Sequence, residues 1–63
     1  MNLRDIRKSK GLTMKQVADA AEISEAAVSL YENGKRFPNL STAYKIAKAL
    51  NVSIDELIGK KAG

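Results

Sequence analysis

Between Thr13 and Glu32 the chain contains two short helical segments, with only three or four residues around Ala21–Ile23 to turn from one into the next. Thr13 followed by Gln16 is a capping-box pattern, in which side chain and backbone at a helix start satisfy each other. Behind that cap, Met14, Val17, Ala18 and Ala21 recur at i, i+3, i+4 and i+7, the spacing of one apolar helix face. The second segment is capped by Ser24, turns Val28 and Tyr31 inward, and stops at Asn33-Gly34. Two helices joined so closely must cross steeply, and the residue at the crossing must be small. Ala18 occupies that position.

The remaining segments are built around this pair. A first helix over about Asn2–Ser9 carries Leu3 and Ile6, and Gly11 ends it. Lys35-Arg36-Phe37-Pro38 reads as a loop, because proline disfavours helical geometry at the residue before it. Asn39 can cap a fourth helix lined by Leu40, Ala43, Ile46, Ala47 and Leu50. Ser53 and Glu56 form another capping box before a fifth helix with Ile54, Leu57 and Ile58. The pattern predicts an all-α fold, a compact bundle of five short helices in a single domain over residues 1–63, with 59–63 a flexible tail or the start of a linker. The predicted core is Leu3, Ile6, Val17, Ala18, Ile23, Val28, Tyr31, Leu40, Ile46, Leu50, Ile54 and Leu57.

Composition narrows the chemistry. The chain has neither cysteine nor histidine, which excludes disulfides, thiolate or imidazole metal sites and histidine acid–base catalysis. It has no glycine-rich phosphate loop, and its carboxylates are dispersed as caps and helix-surface charges. An enzyme is not expected, nor is a cofactor, a metal or a small-molecule ligand. Lys and Arg number 11 against 7 Asp and Glu, a net charge of +4. That balance suits nucleic acid, an acidic protein or a membrane surface, or serves solubility alone. Arg4, Arg7 and Lys8 occur near the start without the apolar stretch of a secretory signal, and no apolar run approaches the roughly 20 residues of a membrane span. A soluble, cytoplasmic protein is expected.

A helix-turn-helix unit fits the paired segments at every core position. The stretches K-G-L-T at 10–13, V-A at 17–18, I-S at 23–24, V-S-L-Y-E-N-G-K-R at 28–36 and K-I-A-K-A-L-N-V-S-I-D-E-L at 45–57 resemble the Cro and phage-repressor type of helix-turn-helix proteins, the Xre family. The resemblance covers nearly the whole chain. It implies a sequence-specific DNA-binding transcription regulator, most often a repressor, which places helix 24–32 in the major groove. The partner is then double-stranded DNA with a partly palindromic operator, bound by a homodimer. Val52, Ile54 and Ile58 are candidates for the contact between copies. Two positions depart from the family pattern. Glu22 stands where the family usually has glycine in the turn, and Met14 stands where it commonly has a glutamine that reaches DNA.

The resemblance also implies roles for single residues. By helical spacing from Val28 and Tyr31, the outward positions of the third helix are Glu25, Ala26, Ser29 and Leu30, and the family reads bases from these positions. Ala26 and Leu30 suit a thymine methyl, and Ser29 can donate or accept. Glu25 has two readings: a first-turn charge that complements the helix dipole, or a reader that accepts from cytosine N4 and repels phosphate at wrong sites. Phosphate contacts fall on Thr13 and Met14 at the start of the second helix, where free N–H groups and a positive dipole end suit anions. They fall also on Asn33, Lys35 and Arg36 after the third helix. Asn33 can equally be a plain helix C-cap, and Lys35 and Arg36 a solvated loop. Lys45, Lys48, Lys60 and Lys61 read as solvated surface. The family pairs the positions of Arg7 and Glu32 in an internal ion pair, for which a planar guanidinium is the suitable cation. An alternative to DNA binding is a protein-interaction module of the same fold, such as an antitoxin or a bridging factor. A further alternative is that the chain is the DNA-binding part of a longer repressor.

Overall fold

The computed structural model describes residues 1–59, and among them the chain forms five helices and no strand: α1 Leu3–Ser9, α2 Met14–Ala21, α3 Glu25–Glu32, α4 Leu40–Leu50 and α5 Ile54–Ile58. The helix starts are those the sequence encodes. Thr13 Oγ1 accepts from Gln16 N–H at 3.0 Å while Gln16 Oε1 accepts from Thr13 N–H at 2.8 Å, a closed capping box. Ser53 and Glu56 repeat it on α5. Ser24 caps α3 through Ala27 N–H, and Asn39 caps α4 through Thr42 N–H.

The first four helices end in one way. The first residue after α2 and α4, and the second after α1 and α3, enters the left-handed region, and the next N–H folds back onto a carbonyl five residues earlier. Leu12 donates to Arg7, Ile23 to Ala18, Lys35 to Leu30 and Val52 to Ala47, at distances from 2.9 to 3.1 Å. Glycine takes the left-handed position at Gly11 and Gly34, where the absence of a Cβ makes it strain-free. Glu22, at φ 60°, and Asn51, at φ 58°, take it without that relief. Glu22 therefore adopts the turn conformation that glycine serves in the family, at a backbone cost on the order of 1–2 kcal/mol.

Leu3, Val17, Ala18, Ala21, Val28, Ala43, Ile46, Ala47, Leu50 and Leu57 form the buried core. α2 lies at its centre, packed on both α3 and α4, while α1 bridges α3 and α5. Ala18 retains 2% of its surface, so the α2–α3 crossing is closed around it. Asn2 N–H donates to the Leu57 carbonyl at 2.8 Å and its carboxamide nitrogen to the Glu56 carbonyl at 3.2 Å, which joins the start of the chain to α5.

Two expectations are corrected. Leu40, assigned to the core, is 67% exposed. At about 100° per residue it lies about 70° from the centre of the stripe formed by Ala43, Ile46, Ala47 and Leu50, on the flank of α4. Gly59, placed in the tail, instead ends α5 at φ +77°, with its Cα so close to Asn2 that a Cβ there would lie 3.1 Å from the Asn2 carboxamide. Ile6, Ile23, Tyr31 and Ile54 pack on the core without being fully buried. The rest of the expected tail, including Lys60 and Lys61, lies outside the described residues.

Candidate nucleic-acid interface

α3 presents one face to the core and the opposite face to solvent. Val28 is fully buried and Tyr31 packs beside it, so Glu25, Ala26, Ser29 and Leu30 point outward, Ser29 half-buried and the others exposed. Ala26 and Ser29 are short, so the outer surface of this helix stays close to its backbone. The helix is tied at both ends. At its start, the left-handed Glu22 and the Ser24 cap set the angle at which the chain leaves α2.

At its end, Glu32 is clamped by two arginines from α1. Arg7 Nε donates to Glu32 Oε2 at 2.5 Å and Arg7 Nη2 to Glu32 Oε1 at 3.1 Å, a bidentate fork of the kind only arginine makes. The third nitrogen of Arg7, Nη1, donates to the Leu12 carbonyl at 2.9 Å. The Glu32 side chain is only 2% exposed, and that of Arg7 13%. Burial alone would push the Glu32 carboxyl up, but the hydrogen bonds and charge of Arg7, and then of Arg4, hold it below the usual carboxylate range. The Glu32 hydrogen bond in turn raises the Arg7 guanidinium above its ordinary value, burial working against it. The ion pair implied by the resemblance is formed, and Arg7 is spent on the scaffold.

Arg4 was not singled out from the sequence. Its Nε reaches Glu32 Oε1 at 3.4 Å and its Nη2 donates to Asn33 Oδ1 at 2.9 Å. The available signal was the i, i+3 spacing of Arg4 and Arg7, which sets both guanidiniums on one side of α1. Asn33 continues the chain of contacts, its Nδ2 donating to the Ser29 carbonyl at 2.9 Å. It is thus a helix-end cap in the free protein, its Nδ2 also making a longer contact of 3.4 Å to Ser29 Oγ.

The remaining phosphate candidates fall on two segments. Lys35 and Arg36 are exposed in the turn that follows α3. Thr13 has its own N–H occupied by Gln16, leaving the hydroxyl hydrogen as its donor. The Met14 side chain packs against the core, so what Met14 can offer an anion is its backbone N–H, one of the donors a helix start leaves unpaired. Lys45 and Lys48 are exposed on α4 beside Ala20 and Glu22. Among the described residues no cluster of acidic side chains could hold a metal ion, and no helix is long and apolar enough to cross a membrane.

Two helices joined by a left-handed turn, the second pinned at both ends with small side chains facing out, define a helix-turn-helix protein. The model of the helix-turn-helix family matches residues 3–57, and the chain belongs to that family, in its Cro and phage-repressor branch. It is similar to the cryptic phage CTXphi transcriptional repressor RstR of Vibrio cholerae, 42% identical over 60 residues, 95% of this chain and 54% of the relative. It is also similar to the transcriptional activator BcrR of Enterococcus faecalis, 39% identical over 56 residues, 89% of this chain but 28% of the relative. The HTH-type regulator y4dJ of Sinorhizobium fredii is 39% identical over 57 residues, 90% of this chain and 74% of the relative. The chain thus spans between about a quarter and about half of the first two relatives.

Proposed function

We propose that this chain is the DNA-binding domain of a transcription regulator that sets α3 in the major groove. The outward face of α3 carries the proposal: small side chains at Ala26 and Ser29 on a helix whose two ends are locked to the scaffold. On this reading Ala26 and Leu30 touch thymine methyls or sugars, Ser29 hydrogen-bonds a base edge, and Glu25 accepts from cytosine N4 while repelling phosphates at wrong sites. Affinity comes from Thr13 and Met14 at the start of α2, and from Asn33, Lys35 and Arg36 after α3. The operator is partly palindromic and bound by two copies, with half-site centres about 34–36 Å apart on one face of the duplex. Val52, Ile54 and Ile58, of which Ile58 is 44% exposed, supply a small contact between them. Such a regulator acts in the cytoplasm, beside its DNA. Relatives of this chain include both an activator and a repressor, and repression is the reading the phage-repressor likeness favours.

A salt titration of binding to duplex DNA tests the proposal, followed by selection of bound sites from random sequence. Neutralised phosphates produce a slope of log K on log salt of about −0.9 per contact, and selection yields one motif with two half-sites. A flat titration refutes it. A second reading, a protein-docking module, rests on Phe37, Leu40 and Tyr44, which are 73%, 67% and 59% exposed within one stretch of the chain. A flat titration is the outcome that reading requires.

A further inference from the structure

We propose that Arg4 is a positioning residue for the backbone contact at Asn33, and so deepens the reading of α3 as a DNA-binding helix, on which it rests. The geometry is a relay. Arg4 shares Glu32 with Arg7 through Nε, and its Nη2 holds the Asn33 carboxamide oxygen at 2.9 Å. On the other side of the same carboxamide, Nδ2 donates to the Ser29 carbonyl at 2.9 Å. These two partners settle which way the carboxamide points. A guanidinium can only donate and a carbonyl can only accept, so the oxygen must face Arg4 and the nitrogen must face Ser29. Nδ2 also lies 3.4 Å from Ser29 Oγ, a contact long enough for a phosphate oxygen to displace, so the nitrogen is a fixed donor at the end of α3, the group a phosphate oxygen needs.

Arg4 serves this purpose because of its fork. Its two donors span Glu32 on one side and Asn33 on the other, which the single compact ammonium of a lysine cannot reproduce. Its side chain is 48% exposed while that of Glu32 is 2% exposed, so the relay runs from a buried anchor to the protein surface. Arg7 holds α3 to the scaffold; Arg4 transfers that fixity one residue further, to a side chain at the DNA-facing end.

The test uses Arg4→Lys, which keeps the charge and loses the fork, alone and combined with Asn33→Ala, on the DNA site selected by the parent chain. Arg4→Lys is expected to weaken binding about threefold to tenfold, the range of one hydrogen bond, with the salt slope unchanged. In the Asn33→Ala background the same substitution is expected to change binding by less than about twofold, because the two residues act as a unit. In the free protein, the Asn33 side-chain amide resonances should shift in Arg4→Lys while those of core residues stay in place. Parental affinity in Arg4→Lys overturns the proposal, as do effects that multiply in the double variant. A salt slope reduced in Arg4→Ala and fully restored in Arg4→Lys, together with parental affinity, makes Arg4 a direct phosphate contact instead. If the parent chain itself shows no salt-dependent binding to duplex DNA, the DNA reading fails and takes this inference with it, a result visible before any variant is made.

Discussion

Arg7 meets Glu32 edge to edge, Nε to Oε2 and Nη2 to Oε1, and with its third nitrogen holds the Leu12 carbonyl in the loop between α1 and α2. One side chain thereby ties the first helix, the following loop and the end of α3. Removing it leaves the Glu32 carboxylate buried with Arg4 as its only cation among the described residues, at 3.4 Å. Loss of one member of a buried pair costs about 3–5 kcal/mol, and the remaining contact from Arg4 sets Arg7→Ala near the lower end, about 3 kcal/mol. Urea melts check this. Arg4→Ala, at a half-exposed site, should cost about 1 kcal/mol or less in the same measurement.

The pH dependence follows from the same carboxylate. Glu32 has a folded-state pKa below its ordinary value, so its stabilisation is fully present above the unfolded value, about 4.3, and is lost as pH falls through the folded value. Stability measured from pH 6 downward should therefore begin to fall near that unfolded value. Glu32→Gln should be less stable at pH 6 and show a shallower decline below about pH 4.3. Parallel curves for the two proteins would assign the acid sensitivity to other carboxylates.

Ala18 sits at the α2–α3 crossing with 2% of its surface exposed, and its carbonyl accepts the Ile23 N–H at 2.9 Å. Ala18→Leu adds three carbons where the helices meet, and overpacking of this kind costs about 1–3 kcal/mol. A variant that melts with the parent would mean that the crossing has room to spare.

Glu22 holds φ at 60° without being glycine. Glu22→Gly removes the Cβ strain but gives the unfolded chain more freedom, and the first effect is the larger, so a net gain of about 1 kcal/mol is expected. In a domain of this size that raises the melting temperature by about 4–8 °C. A fall in melting temperature would show that the Glu22 side chain stabilises the turn by more than its backbone strain.

Glu25 lies exposed in the first turn of α3, among the outward residues. Glu25→Gln removes a negative charge that faces the duplex in the proposed complex. It should strengthen binding to DNA of any sequence and change the preferred base at one position of the selected site. An unchanged site, with stability lower by about 0.3–1 kcal/mol, would instead mark Glu25 as a helix-end charge.

Helix limits and the identity of the inner faces were legible in the sequence because local chemistry decides them. Thr13 with Gln16, Ser24, Asn39, and Ser53 with Glu56 each cap a helix using atoms within three residues, and the periodicity of Val17, Ala18 and Ala21 marks the buried side. The outward face of α3 was legible for the same reason, once Val28 and Tyr31 fixed its inside. What periodicity could not decide was how far a flank is covered. Leu40 has the spacing of its stripe, yet coverage depends on where the neighbouring helices end, and the structure leaves it exposed. Asn2 and Leu57 meet across 55 positions of sequence, and no local signal announces such a contact. Arg4 is the sharpest case. On its own helix it is one surface arginine among several charges, and only the return of α3 to α1, 28 residues later, brings Glu32 and Asn33 within its reach. Caps and inner faces are properties of a few consecutive residues; coverage and long-range charge partners belong to the packed helices together.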